Sequence, residues 1–162
     1  MDEKIKLLIV DDEVKFLDSI AQRLELRGFS VVKAKNGVEA LEAAAREKFD
    51  LALLDLKMPG IDGKQVLERL RAEHKFLEVI ILTGHGSIDS AVECTRMGAF
   101  DYLPKPHELD HLLDVLKRAY EARLQKKFEA DVNRLEKISR LATGGSALSI
   151  LRELRKIDDD VK

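Results

Sequence analysis

Short β-rich apolar runs alternate with longer segments of helical spacing along residues 1–120, and this alternation limits the fold more than any other feature of the sequence. The runs cover residues 5–10, 30–34, 50–54, 79–82 and 100–103. Between them apolar residues recur every three or four positions, the period of one helix face. Val14, Leu17, Ile20 and Leu24 form the first stripe, and Gly28 stands where a C-terminal glycine would end that helix. Asn36-Gly37 punctuates the start of a second helix over residues 38–48. Val66, Leu67 and Leu70 mark the third; Ile88, Ala91 and Val92 mark the fourth, closed by Gly98; Leu109, Leu112, Leu113 and Leu116 mark the fifth. Strands separated by whole helices are joined by crossovers, which makes them parallel. The first, third and fourth runs are almost continuously apolar, as expected of strands covered on both faces. The fold class that follows is α/β, a doubly wound five-stranded parallel sheet.

The fifth helix has no clear stop. Apolar residues continue at Tyr120, Leu124, Phe128, Val132, Leu135, Ile138 and Leu141, at spacings of 4, 4, 4, 3, 3 and 3. That rhythm lies between a straight amphipathic helix and a coiled-coil seam. Thr143-Gly144-Gly145-Ser146 breaks it, and a short second stripe follows at Leu148, Leu151, Leu154 and Ile157 before a solvated end at Asp158-Asp159-Asp160. The chain therefore divides into an α/β domain over residues 4–122 and a helical extension over residues 123–162. Three fates for the extension are open: a dimeric coiled coil, a last helix folded back on the long one, or a linker to a partner or an absent output domain. A homodimer through the stripe at residues 124–141 leads, because nothing else in the sequence is available to bury it.

Composition excludes several classes. The longest clean apolar run, Leu7 to Val10 after Ile5, is far short of the roughly 20 residues a membrane helix needs, and the N-terminus lacks a signal-peptide stretch. One cysteine, Cys94, excludes an internal disulfide and suits a reducing cytoplasm; it reads as a packing residue. Residues 123–162 carry 10 Lys+Arg against 7 Asp+Glu, a net of +3, which leaves -5 on the remainder of a chain whose net charge is -2. That is too weakly basic for a nucleic-acid footprint, so DNA is not expected as a partner.

The acidic residues that carry chemistry stand at strand ends. Asp11 and Asp12 follow the first run and Asp55 follows the third. In an open α/β sheet, ligands bind at the carboxyl ends of strands where the strand order reverses. If the strand order is 2-1-3-4-5, the first and third strands are neighbours at that reversal and the three carboxylates converge on one pocket. Like charges at such range repel, and a hard divalent cation such as Mg²⁺ relieves them while leaving room for phosphate oxygens. Thr83 follows the fourth run, beside the small Gly84 and Gly86, and offers a hydroxyl to a phosphate oxygen. Lys105 follows the fifth, between Pro104 and Pro106, on a stem long enough to bring its ammonium across.

These segments, Ile9-Val10-Asp11-Asp12-Glu13, Leu53-Leu54-Asp55-Leu56-Lys57-Met58-Pro59-Gly60, Thr83-Gly84-His85-Gly86 and Asp101-Tyr102-Leu103-Pro104-Lys105-Pro106, resemble the receiver domain of bacterial two-component response regulators, most closely the nitrogen-regulation type. The resemblance implies a flavodoxin-like sheet of order 2-1-3-4-5 and a phosphoryl group accepted on Asp55 from a histidine kinase or phosphotransfer protein. It also implies Mg²⁺ held by Asp11, Asp12, Asp55 and the backbone carbonyl of Lys57. Thr83 and Lys105 would bind the phosphoryl group, Tyr102 would be the switch aromatic, and the Lys105–Pro106 bond stands where many members of the family have a cis bond. Such a protein is a cytoplasmic phosphoacceptor switch that promotes its own phosphorylation and dephosphorylation, not an enzyme with a separate substrate.

Two other readings compete. His107-Glu108-Leu109-Asp110-His111 formally matches a zinc-protease signature but offers no third ligand, and His107 and Glu108 read better as polar residues at a helix start. The chain could also belong to a DNA-binding transcriptional regulator whose output domain it lacks. Thr143-Gly144-Gly145-Ser146 does not continue into a nucleotide-binding loop, so a nucleotide-hydrolysing output within this chain is not expected.

Overall fold

In a computed structural model of the chain, residues 3–105, 107–144 and 146–161 are described, the side chains of 160 and 161 excepted. The described elements are β1 (Lys6–Val10), α1 (Val14–Glu25), β2 (Ser30–Ala34), α2 (Gly37–Arg46), β3 (Leu51–Leu54), α3 (Gly63–Glu73), β4 (Glu78–Thr83), α4 (Ile88–Arg96), β5 (Asp101–Pro104), α5 (Leu109–Gly144) and α6 (Ala147–Val161). The five strands form one parallel sheet, as the strand-and-helix alternation predicts, in the order β2-β1-β3-β4-β5 that the family resemblance implies.

Strand side chains alternate between two covered faces. Leu8, Val10, Ala52, Leu54, Val79 and Ile81 pack in one core with the buried residues of α2 and α3 and with Cys94 of α4. Leu7, Ile9, Leu51, Leu53, Ile80 and Leu82 pack in the other with α1 and α5. This two-sided burial is why the central strands read as unbroken apolar runs rather than alternating ones.

Local chemistry sets the helix starts. Asn36 caps α2 by accepting the Glu39 N–H, and the Glu39 carboxylate accepts the Lys35 N–H in return. Asp62 and Gln65 form a reciprocal capping box at α3, and Ser87 caps α4. Caps of this kind are each worth about 1 kcal/mol. Gly28 ends the α1 region at φ +94°, a left-handed conformation that glycine adopts without steric cost.

The chain divides into two compact units, residues 1–123 and 124–162. Within the first, Arg123 donates to the Asp50 carboxylate at 3.0 Å and to the Phe76 carbonyl at 2.7 Å, and Asp50 also accepts the Lys6 N–H. Within the second, Ile157 is buried and Val132, Ile138, Leu141 and Ile150 are half-buried. Phe128 and Leu135 of that unit are each 64% exposed. Among the described residues, no helix is long and apolar enough to cross a membrane.

Gly63 opens α3 directly against the chain after β3: a Cβ there would lie 2.2 Å from the Asp55 carbonyl oxygen and 2.5 Å from Leu56 Cα. Backbone cannot yield as a side-chain tip does. Gly63→Ala is therefore expected to destabilise the protein by at least about 2 kcal/mol in urea unfolding; an unchanged midpoint would contradict the packing described.

Candidate functional site

Strand register delivers the acidic residues together. Val10 of β1 is opposite Leu54 of β3, so the chain leaves both strands at the same level and presents Asp11 beside Asp55. The Asp55 N–H donates to the Val10 carbonyl at 3.0 Å, and the Asp11 N–H donates to Ala34 at 3.0 Å. Thr83 of β4 is opposite Pro104 of β5, and the Lys105 N–H donates to the Thr83 carbonyl at 3.0 Å. Ordinary parallel-sheet bonds thus fix the backbone of each strand-end residue.

The side chains meet in a confined space. One carboxylate oxygen from each of Asp11, Asp12 and Asp55 lies within 4.8 Å of the others. Asp11 and Asp55 are buried, the latter 2% exposed, whereas Asp12 is exposed. Lys105 reaches across from the end of β5, forms an ion pair with Asp11 Oδ2 and lies 3.7 Å from Asp55 Oδ2. Asp11 Oδ1 accepts the Glu13 N–H, and Asp55 Oδ1 accepts the Leu56 N–H. Burial pushes the Asp11 carboxyl above its ordinary value and the Asp55 charge adds to the rise; Lys105 and the Glu13 N–H act in the opposite sense.

The donor set suits a hard divalent cation. It offers carboxylate oxygens only, and among the described residues it is the one group of three or more metal-capable side chains. Three ionised carboxylates against one ammonium leave an excess of two negative charges, which a single divalent ion would balance. A cleft of about 640 Å³ opens beside Asp12, lined by Asn36, Glu39, Pro59 and Ile61 among others. Lys57 lies exposed on the loop between β3 and α3.

Thr83 is buried, and its hydroxyl accepts the His85 N–H at 3.1 Å. Tyr102 packs against the core on the α4 side, and its buried hydroxyl has no hydrogen-bond partner among the described residues. Gly86 makes this placement possible, because a Cβ there would come within 2.7 Å of the Tyr102 hydroxyl. Pro106, and with it the expected cis bond, lies outside the described residues.

The remaining sequence candidates stand apart. His107 Nε2 and His111 Nδ1 hydrogen-bond to one another at 2.5 Å, and no third metal-capable side chain joins them among the described residues. Cys94 is buried, and burial pushes its thiol up, away from reactive thiolate. One neighbour of the site escaped the sequence reading altogether: the ring of Phe16, on α1, lies 4.1 Å from the Lys105 ammonium. Phe16 falls beside the apolar stripe rather than on it, and nothing in its spacing links it to Lys105.

Residues 7–117 match the family described as the response regulator receiver domain. The DNA-binding transcriptional regulator NtrC of Escherichia coli strain K12 is 39% identical over 111 residues, a match covering 68% of this chain and 24% of NtrC. The response regulator FleR of Pseudomonas aeruginosa is 40% identical over 113 residues, 70% of this chain and 24% of FleR. The chain thus spans about a quarter of the length of these curated relatives. Among solved structures, a CheY-like receiver domain protein from Methanospirillum hungatei JF-1 superposes with a TM-score of 0.74 at 32% identity, covering 76% of this chain and 99% of that one. NtrX from Brucella abortus, in complex with ATP, gives a TM-score of 0.74 at 28% identity, covering 96% of this chain and 40% of NtrX.

A buried hydroxyl without a partner costs stability that its removal restores. Tyr102→Phe should leave the unfolding free energy unchanged or raise it by about 1 kcal/mol in urea titration. A loss larger than about 1 kcal/mol would show that the hydroxyl is hydrogen-bonded after all.

Proposed function

Because the chain belongs to the response-regulator receiver family of two-component systems, we propose that Asp55 accepts a phosphoryl group from a histidine kinase or phosphotransfer protein, and that the charge it gains switches the protein's contacts. The observation that carries this reading is the convergence of Asp11, Asp12 and Asp55 beneath Lys105 at the carboxyl end of the sheet.

Mg²⁺, held by Asp11, Asp12, Asp55 and the Lys57 carbonyl, would supply positive charge to the phosphoryl oxygens during transfer. The protein's own groups do the rest. The Asp55 carboxylate attacks phosphorus in line, a P–O bond forms as the P–N bond of the phosphohistidine breaks, and the electron pair leaves with the imidazole nitrogen. Lys105 exchanges its contact with Asp11 for the new phosphoryl oxygens, adding a charge-assisted hydrogen bond where negative charge accumulates. Thr83 turns its hydroxyl from accepting the His85 N–H to donating to the phosphoryl group. Movement of the Thr83 loop then changes the space around Gly86, against which Tyr102 is packed, and so reports the modification to the α4–β5 surface. In this reading the protein acts on itself, promoting its own phosphorylation and dephosphorylation without turning over a separate substrate, in the cytoplasm.

The stripe at residues 124–141 is the proposed homodimer contact, since Leu124, Phe128 and Leu135 are exposed in their own unit. A second reading, the receiver portion of a DNA-binding regulator, is favoured by the NtrC relative and by the NtrX alignment, which extends over 96% of the chain. The weak positive charge of residues 123–162 speaks against direct DNA contact by this chain.

Incubation with Mg²⁺ and a small-molecule phosphodonor, followed by intact-mass measurement, should add one phosphoryl group to the wild type and none to Asp55→Ala. Undiminished labelling of the variant would move the acceptor elsewhere. Light scattering of the full chain at micromolar concentration should give a dimer, and a monomer there would reject the proposed contact.

A further inference from the structure

We infer that Phe16 is a positioning residue for Lys105, holding its ammonium over the phosphoacceptor while the charged partners of Lys105 are reassigned; this rests on the reading of Asp55 and Lys105 given above. Lys105 is held on three sides. Its side chain is 11% exposed, it is ion-paired with Asp11, it lies 3.7 Å from Asp55, and its Nζ stands 4.1 Å from the centroid of the Phe16 ring. Two of those contacts are with carboxylates that phosphoryl transfer alters. Asp11 is a proposed cation ligand, and Asp55 becomes the acyl phosphate. A lysine released by both, on a flexible four-carbon stem, would be free to turn into solvent.

The Phe16 ring is unaffected by either change. Its electron-rich face attracts the ammonium through the ring quadrupole, so the N–H donors now aimed at Asp11 and Asp55 can pass to phosphoryl oxygens while the ring contact is kept. It also covers the ammonium from water, which strengthens the remaining charge contacts. The mounting is rigid. Phe16 lies in the first turn of α1, which begins two residues after Asp12, and it packs against the core between the sheet, α1 and α5. Asp11 and the aromatic ring therefore flank Lys105 from one short segment, the first as a partner to be exchanged and the second as a partner to be kept. Plain core packing would explain a phenylalanine on α1, but it predicts no dependence on Lys105 and no need for an aromatic ring.

The test uses the full chain, Mg²⁺ and acetyl phosphate, with phosphorylation followed by intact mass over time. Phe16→Leu, which keeps the apolar bulk and removes the π face, should slow labelling by about three- to tenfold. Phe16→Tyr should restore it to within about twofold. In a Lys105→Ala background Phe16→Leu should have no further effect, whereas a merely structural role would slow both backgrounds alike. A direct measurement stands beside the rates. The Lys105 methylene protons next to Nζ should show an upfield ring-current shift in NMR spectra, lost in Phe16→Leu. Wild-type labelling with an unaffected Phe16→Leu, an equal slowing in both backgrounds, failure of Phe16→Tyr to rescue, or absence of the ring-current shift would each overturn the inference alone. Absence of wild-type labelling, or labelling that survives in Asp55→Ala, would overturn the underlying reading and this inference with it.

Discussion

The reach of Lys105 from the end of β5 to Asp11 is the interaction on which the rest of the site depends. Two carboxylates with almost no solvent exposure stand side by side, and unit charges about 4 Å apart interact by about 4 kcal/mol at an effective dielectric of 20. Repulsion of that size would drive one of them to the neutral acid if nothing opposed it, and burial already pushes Asp11 that way. One ammonium answers part of the charge and cannot answer all of it. The shortfall makes the pocket receptive to a divalent cation. A second cation there, such as a fixed arginine, would satisfy the carboxylates more fully and leave less for an ion or a phosphoryl group to gain.

The sheet supplies the geometry at no special cost. Parallel strands in register end at a common level, so residues just past those ends become neighbours although they are distant in sequence. Small residues keep the space open around them. Gly63 lets α3 start in contact with the backbone that carries Asp55, and Gly86 lets the Tyr102 ring pack under the loop after β4. Side-chain volume at either position would displace a functional group while leaving the hydrophobic pattern of the chain unchanged.

Much of this was legible in the sequence for a physical reason. Doubly covered strands must be apolar throughout, so each one announces itself, and the first polar residue beyond it marks the sheet edge where chemistry collects. Asp11 and Asp55 stand at such ends, and the structure brings them together with Asp12 and Lys105. Contacts that depend on the reach of a side chain were not legible. Neither the choice of Asp11 rather than Asp12 as the ion-pair partner of Lys105 nor the approach of Phe16 leaves any periodic trace. The extension shows a second limit. Its spacing marks a continuous helix, and α5 indeed runs to Gly144, but an apolar stripe says only that something covers it, not what.

A protein that changes state must leave some group better satisfied in each state than in the other, or no ligand could shift the balance. In the structure the carboxylates and Lys105 satisfy one another in part, Thr83 is occupied by the His85 N–H, and among the described residues the Tyr102 hydroxyl is unmet. A phosphoryl group on Asp55 would draw Lys105 and Thr83 away from these partners, because charged oxygens reward donors more than a neutral contact does. The loop that holds Thr83 also holds Gly86, and Gly86 is what the Tyr102 ring rests on. Under the proposed function, a change in acceptor chemistry at Asp55 would reach an aromatic ring through the one short loop that carries Thr83 and Gly86.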